Sequence, residues 1–294
     1  MKKPKIIVIG GPTATGKSNL AVSLAQKFNG EVISADSRQV YRGLTIGTGK
    51  ITKKEMSGVH HYLLDIRNPK NKFSVLLFQK KGREAIKKIL KKEKVPIICG
   101  GTGFYIHSLV YNTTIPDVMP NNALRKKLKK LSTEKLFTIL KKKDPARAKT
   151  IDKHNNQRLI RALEIVEALG KVPKKKEQSH YDVFFIGLQA SDLNKKIHLR
   201  LLARLKSGMI QEAKTLHQNG LSYSRMEELG LEYKYLSKLL KKEITKKYFM
   251  EHLEKEIKNY SKRQLTWFKK EKGIRWFNTS GKKQLLKEVG MFLK

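Results

Sequence analysis

The sequence predicts an α/β fold: a doubly wound, mostly parallel sheet of the P-loop NTPase-like kind, interrupted by a helical insertion domain. Three observations carry that expectation. Short apolar runs alternate with longer segments of helical period along the N-terminal third, the pattern of successive βαβ units. The first run, Ile6-Ile7-Val8-Ile9, passes into Gly11-Pro12-Thr13-Ala14-Thr15-Gly16-Lys17-Ser18 and then into a helix. Beyond residue 115 the strands stop, lysine-rich helical segments follow, and strand character returns at Val183-Phe-Phe-Ile-Gly187. The expected division is therefore a first part of the core at 1–115, an insertion at 116–180 and a mostly helical remainder of the core at 181–294.

The glycine-rich turn matches G-x-x-x-x-G-K-[ST] in the context that gives the pattern meaning, a strand before it and a helix after it. Leu20, Leu24 and Phe28 recur at helical spacing over Ser18 to Phe28. Such a turn surrounds phosphate oxygens with backbone N–H groups and a helix N-terminus. Lys17 reaches over them, and the Ser18 hydroxyl is placed for Mg²⁺. Gly11 and Gly16 allow close backbone approach and positive φ. Polyphosphate binding follows from this, but not whether the polyphosphate is a nucleotide such as ATP.

Asn29-Gly30 ends the first helix, and Glu31-Val-Ile-Ser-Ala-Asp36 reads as a second strand. Its carboxyl end delivers Asp36 and Ser37 to the side of an open α/β sheet where ligands bind. Asp36 to Lys50, polar and glycine-punctuated, reads as a surface loop. A third strand is expected at His61-Tyr-Leu-Leu-Asp65, a helix from about Ser74 to Lys92, and a fourth strand at Val95-Pro-Ile-Ile-Cys99 running into Gly100-Gly101-Thr102-Gly103. A proline-containing linker, Ile115 to Pro120, leads into the insertion, where Leu159, Leu163, Val166 and Leu169 mark one amphipathic face. Asp192 to Lys272 reads as helices broken near Gly208, Gly220 and Gly230, and Ile274-Arg-Trp-Phe277 as a last strand before a terminal helix. The sequence shows no internal repeat, and no disordered tail is expected.

With 39% hydrophobic and 30% charged residues, the 294-residue chain has the balance of a soluble globular protein, and no apolar run approaches the ~20 residues of a membrane span. The segment Met1-Lys-Lys-Pro-Lys precedes apolar residues, as in a signal peptide. That apolar stretch is too short and runs straight into the P-loop, so a first strand and a cytoplasmic location are expected. The single cysteine, Cys99, excludes an internal disulfide or a zinc site of several thiolates, and is expected to be a buried small hydrophobe. A net charge of +39 points to nucleic acid or an anionic membrane surface. So lysine-heavy a balance can also arise from codon usage. The arginines are more informative, because only the planar guanidinium offers bidentate, stackable recognition of phosphates and bases. Arg38, Arg42, Arg158, Arg161, Arg200 and Arg263 fall in segments distinguished on other grounds.

An ordinary P-loop NTPase holds Mg²⁺ partly through an Asp at the end of an apolar strand. Here the strand ending at Cys99 passes into glycines, which leaves Asp36 and Asp65. Asp36 is placed to act as a base toward a second substrate, or simply to cap a turn. Thr102 adds a hydroxyl to the same crevice. His60 and His61, as neighbours on a strand, point to opposite faces and cannot share a metal ion.

Together, Gly11 to Ser18, Asp36-Ser-Arg-Gln-Val-Tyr-Arg-Gly43, Val59-His-His-Tyr-Leu-Leu-Asp65, Pro96-Ile-Ile-Cys-Gly-Gly-Thr-Gly-Phe-Tyr105, Gln157-Arg-Leu-Ile-Arg-Ala-Leu-Glu164 and Tyr260-Ser-Lys-Arg-Gln-Leu-Thr-Trp-Phe268 resemble, in order, the tRNA dimethylallyltransferase (tRNA isopentenyltransferase) family of bacterial type. The resemblance covers most of the chain. It implies transfer of a dimethylallyl group from dimethylallyl diphosphate to N6 of the adenosine just 3′ of a tRNA anticodon, with release of diphosphate. Gly11, Pro12, Thr13, Ala14, Thr15, Gly16, Lys17 and Ser18 would hold the diphosphate, with Mg²⁺ at Ser18. Lys17 and Arg200 would stabilise the leaving group, Asp36 would orient or accept the N6 proton, and Thr102 would sit beside the reacting centre. Asp36, Ser37, Arg38, Gln39 and Thr102, the helix segment Gln157, Arg158, Leu159, Ile160 and Arg161, and Arg263 with Gln264 match the family's tRNA-contacting segments. Trp267 and Phe268 read equally as core aromatics. The implied partners are the tRNA anticodon loop and dimethylallyl diphosphate, with no membrane and a monomeric enzyme. At Glu228-Leu-Gly-Leu-Glu-Tyr233 the chain departs from the family pattern, since Leu231 stands where a tyrosine usually follows the glycine. The zinc-finger tail of some eukaryotic members has no counterpart here.

Competing readings are a P-loop kinase using ATP on a nucleoside or other small molecule, a nucleic-acid-binding ATPase, and an enzyme that prenylates free AMP. The missing acid after Cys99 counts against the first two. The insertion and its arginines count against the small-molecule enzymes.

Overall fold

Six strands, β1 (Lys5–Gly10), β2 (Gly30–Ser34), β3 (His61–Tyr62), β4 (Val95–Cys99), β5 (Asp182–Gln189) and β6 (Ile274–Asn278), form one all-parallel sheet in the order β3-β2-β4-β1-β5-β6. The structure is a computed structural model that describes residues 2–174, 176–278 and 281–294; Met1, which opens the basic N-terminal segment, lies outside the described residues. Between the strands run α1 (Lys17–Lys27), α2 (Lys53–Met56), α3 (Val75–Lys91), α4 (Gly103–Val110), α5 (Asn122–Leu128), α6 (Thr133–Lys143), α7 (Pro145–Ala148), α8 (Asn156–Leu169), α9 (Leu193–Lys206), α10 (Met209–Gln218), α11 (Tyr223–Leu229), α12 (Leu231–Leu240), α13 (Lys246–Phe268) and α14 (Lys282–Leu293).

The sheet is wound on both faces because alternate strand residues point to opposite sides. Ile6, Val8, Ile33, Ile98 and Phe185 pack with Phe78 and Ile86 of α3, Leu109 of α4 and Phe268 of α13. Ile7, Ile9, Val32, Ile97 and Phe184 pack with Leu24 of α1 and Leu285 and Val289 of α14. A third core gathers α9 to α13 around Leu201, Tyr233 and Phe249, and buries Val40, Tyr41 and Leu44 of the loop after β2. Since every strand runs the same way, the segments that follow β1, β2 and β4 leave the same edge of the sheet. This topology, more than any one motif, assembles the site.

Three local expectations need correction. The third strand stops at Tyr62 rather than Asp65, because Leu63 (φ 66°) and Asp65 (φ 55°) adopt left-handed conformations incompatible with a continuing strand. The second strand ends at Ser34, so Asp36 lies in the turn beyond it. Leu169 does not share the buried face of α8. Leu159, Leu163 and Val166 are buried, whereas Leu169 is 50% exposed at the point where Gly170 (φ 77°) ends the helix.

The chain divides into two compact units, Met1–Asn112 with Ser179–Lys294, and Thr113–Gln178. The second is helical and has a core of its own, built from Leu136, Leu140, Leu159, Leu163 and Val166. Glu164, buried within it, accepts hydrogen bonds from Arg125 at 2.6 and 2.8 Å, from Arg161 at 2.7 Å and from the Asn121 amide at 2.8 Å. Burial alone would raise the pKa of Glu164, but these donors hold it below its usual value.

Candidate active site

The P-loop joins β1 to α1 through Gly16, which caps the helix at φ 85° without any side-chain cap, so the first amides of α1 have no side chain bonded over them. That is the arrangement an anion needs at a helix N-terminus. The Thr15 hydroxyl donates to the Pro12 carbonyl at 2.9 Å, and Lys17 folds back to donate to the same oxygen. Burial, with Arg200 adding to it, holds the Lys17 ammonium down to about 8. A partly buried cation whose hydrogen bond goes to a neutral carbonyl is what an anionic ligand would relieve.

A cavity of about 780 Å³ is lined by Thr13 to Ser18 of the loop, by Asp36, Ser37, Arg38 and Gln39 after β2, by Gly100 and Gly101 after β4, by Arg200 and Arg204 of α9, and by Tyr260 and Gln264 of α13, whereas Gly11 and Pro12 are buried behind the loop's lining residues. Gly100 is required where the turns after β4 and β2 touch, since a side chain there would meet the Ala35 carbonyl oxygen at 2.2 Å. Arg200 spans the cavity wall, donating to the Thr13 hydroxyl at 3.1 Å and to the Gly49 carbonyl at 3.0 Å. Burial and the neighbouring Arg204 lower its pKa. Asp36 accepts the Arg38 and Gln39 amides on one oxygen, at 2.8 and 3.3 Å, so it caps its own turn while lining the cavity. Thr102 accepts the Ser37 amide at 3.1 Å, and the phenol of Tyr260 on the cavity wall is pushed up to about 12 by burial and by the charge of Asp36.

Cys99 is buried beside this site, and burial pushes its thiol up to about 12, so it is an inert small hydrophobe. Asp65 is not a cavity carboxylate. It takes the buried ammonium of Lys50 at 2.5 Å, and Lys50 also donates to the Tyr41 carbonyl at 2.8 Å. Among the described residues no group of three or more His, Cys, Asp or Glu side chains could hold a metal.

Gln264 lines the cavity and is also engaged within the protein. Its oxygen accepts the Thr13 amide at 2.9 Å and its nitrogen donates to the Gly101 carbonyl at 3.0 Å, so one buried carboxamide ties the P-loop to the turn after β4. Phe268 is fully buried and Trp267 packs on the same core, so both are core aromatics, while Arg263 is exposed and lies over the Tyr260 ring at 5.8 Å. Within the insertion, Leu159 and Ile160 are buried in its core, which removes their side chains from any direct contact with a nucleic acid. Gln157 and Arg158 are exposed, and Arg161 is tethered to Glu164 and to the Val118 carbonyl at 2.8 Å.

Residues 39–271 match the family described as IPP transferase. The chain is 40% identical over 282 residues to a tRNA dimethylallyltransferase of Anoxybacillus flavithermus, an alignment covering 93% of this chain and 90% of that protein. The chain belongs to the IPP transferase family. In structure it is similar to the tRNA isopentenylpyrophosphate transferase of Bacillus halodurans, with a TM-score of 0.75 and 34% identity over 98% of this chain and 96% of that one. It is also similar to a eukaryotic dimethylallyltransferase described as acting on tRNA, with a TM-score of 0.81 and 28% identity over 94% of this chain and 74% of that one.

For an IPP transferase the sequence left several cavity residues unremarked. Arg204 was legible, since it follows Arg200 by one helical turn and so shares its face. Glu232 pairs with Arg204 at 2.7 Å and lines the cavity, and burial raises its pKa against the pull of that arginine. No local signal marked it. It enters the wall because Gly230 (φ 71°) and Leu231 (φ 39°) turn the chain sharply between α11 and α12.

Proposed function

We propose that this enzyme transfers a dimethylallyl group from dimethylallyl diphosphate to N6 of the adenosine 3′ of the anticodon in tRNA. The observation that carries the reading is the lining of a single cavity. A cradle for a polyphosphate shares it with Arg38, Arg200 and Arg204 and with the Asp36 carboxylate, and the strand beside the P-loop ends in glycines where a nucleotide hydrolase would carry an acid.

The N6 lone pair is delocalised into the purine ring, so the amine must be held against the allylic carbon and relieved of its proton. As the N6–C1 bond forms, the C1–O bond breaks, the electron pair leaves with the diphosphate, and the N6 proton passes to Asp36. The P-loop amides, Lys17 and Arg200 would stabilise the charge that accumulates on the leaving oxygen. Thr102 and Tyr260 would steady the incoming adenosine. A base in a stacked loop must be extruded to reach such a cavity. Arg38, the exposed Gln157 and Arg158 of the insertion, and Arg263 are proposed contacts to the RNA. Mg²⁺ fits the donors present: Ser18 offers an exposed hydroxyl at the cavity, and this ion takes most of its remaining oxygens from phosphate and water. When bound, it would neutralise diphosphate charge.

The test is incubation with tRNA and dimethylallyl diphosphate labelled in the allyl group, and in parallel with γ-labelled ATP. Label entering tRNA is expected. Phosphate release from ATP without prenylation of tRNA would overturn the reading.

A further inference from the structure

The loop at residues 45–49 belongs to no strand or helix, yet both sides of its backbone are held by charged side chains. Its amides converge on one carboxylate. Thr45 and Ile46 donate to one oxygen of Glu212 at 3.0 and 2.6 Å, and Gly47 to the other at 2.9 Å; the Tyr233 hydroxyl joins at 2.7 Å. Its carbonyls are gripped from α9, Gly47 by Arg204 and Gly49 by Arg200 at 3.0 Å. Arg204 is held in turn by Glu232. Apart from the Thr13 hydroxyl of the P-loop, the hydrogen-bond partner shown for Arg200 is therefore a carbonyl of this loop. Glu212 comes from α10 and does not line the cavity.

A flexible arginine stabilises a leaving group only if its orientation is fixed before the charge develops. Four donors on one ionised carboxylate make charge-assisted hydrogen bonds, roughly twice as strong as neutral ones, so a Gln at this position would hold the loop far less firmly. A Gln also brings an NH₂ group against amides that need an acceptor.

We infer that Glu212 is a positioning residue for Arg200, acting through the backbone of loop 45–49, with Tyr233 steadying Glu212 and the Arg204–Glu232 pair holding the loop from its carbonyl side. The inference rests on the reading of this cavity as a diphosphate site. Glu212 touches neither substrate; it sets where the guanidinium points.

The experiment is a double-mutant cycle on the full chain with Glu212→Gln, Arg200→Lys and the two together. It reads calorimetric affinity for inorganic pyrophosphate, and transfer from dimethylallyl diphosphate to tRNA. Glu212→Gln is expected to lower kcat/KM for the allylic diphosphate roughly 10- to 100-fold, the scale of a misplaced catalytic group, and to weaken pyrophosphate binding, while tRNA affinity stays within about twofold. In the Arg200→Lys background the same change should cost little more, because the group being positioned is no longer the arginine. Multiplicative effects of the two changes, or unchanged pyrophosphate affinity in a folded Glu212→Gln protein, would overturn the inference. Should Glu212→Gln fail to fold, Tyr233→Phe removes one of the four donors and is run through the same cycle, with a smaller effect of the same non-additive kind expected. If the wild-type chain binds pyrophosphate but moves no label into tRNA, the function proposed above fails, and the cycle in pyrophosphate affinity still decides the role of Glu212.

Discussion

Asp36 caps its own turn and, in the proposed reaction, would also take the N6 proton; different substitutions separate the two. One oxygen caps the Arg38 and Gln39 amides, so an alanine would disturb the turn as well as remove a base. Asparagine keeps an acceptor for those amides. Asp36→Asn is therefore expected to leave tRNA and pyrophosphate binding nearly intact while lowering kcat by roughly 10²-fold or more, the scale of losing a general base. A rise in KM alone in steady-state kinetics would assign Asp36 to positioning. Lys17 gives a pH dependence whose sign is fixed. Its charge favours anion binding, and its pKa in the free protein is held down to about 8, chiefly by burial. Pyrophosphate affinity should be flat well below that value and should fall as pH rises through it, by up to about tenfold per unit for a single linked proton. Calorimetry from pH 6.5 to 9.5 checks this, and affinity that stays level across the range would remove Lys17 from the binding site.

At the scale of elements, α13 does more than close the core. It plants Phe268 between strand and helix, where a side chain on Gly10 would collide with it at 2.5 Å, and four residues earlier it delivers Gln264 to the P-loop. Gln264→Leu keeps the bulk and leaves the Thr13 amide and Gly101 carbonyl without their partner. A loss of about 1–3 kcal/mol in urea unfolding is expected, together with weaker pyrophosphate binding. Unchanged stability would mean that water replaces the carboxamide. The loop after β2 is tied down in a comparable way: buried Lys50 bridges Asp65 and the Tyr41 carbonyl, so Lys50→Met should destabilise the fold by taking the ammonium from that carbonyl and from Asp65, and thermal unfolding reads that loss directly. The strands at 95–99, 183–187 and 274–277 were legible because short apolar runs bounded by glycine and charge have few alternatives. The early end of β3 was not, since the left-handed conformation at Leu63 is one that a leucine's own preference does not announce.

For the whole molecule, a charge of +39 must be divided between what binds and what merely solvates. If the lysine- and arginine-rich surface engages tRNA phosphates at six or more positions, affinity should fall roughly 10³-fold between 50 and 200 mM salt through counterion release. Filter binding across that range checks it, and a flat profile would make the excess charge compositional. The sequence by itself determined the glycine-rich turn between β1 and α1, the alternation that winds a parallel sheet, the acid at Asp36 and the family motifs, because each depends on residues adjacent in the chain or one helical turn apart. Only the tertiary structure decided that Gln264 holds the P-loop, that Asp65 is bound to Lys50, and that Glu212 collects the amides of loop 45–49. Those contacts join residues from 15 to 251 positions apart, and which buried polar groups meet is decided by how helices pack over the sheet, a property that no local pattern of side chains encodes.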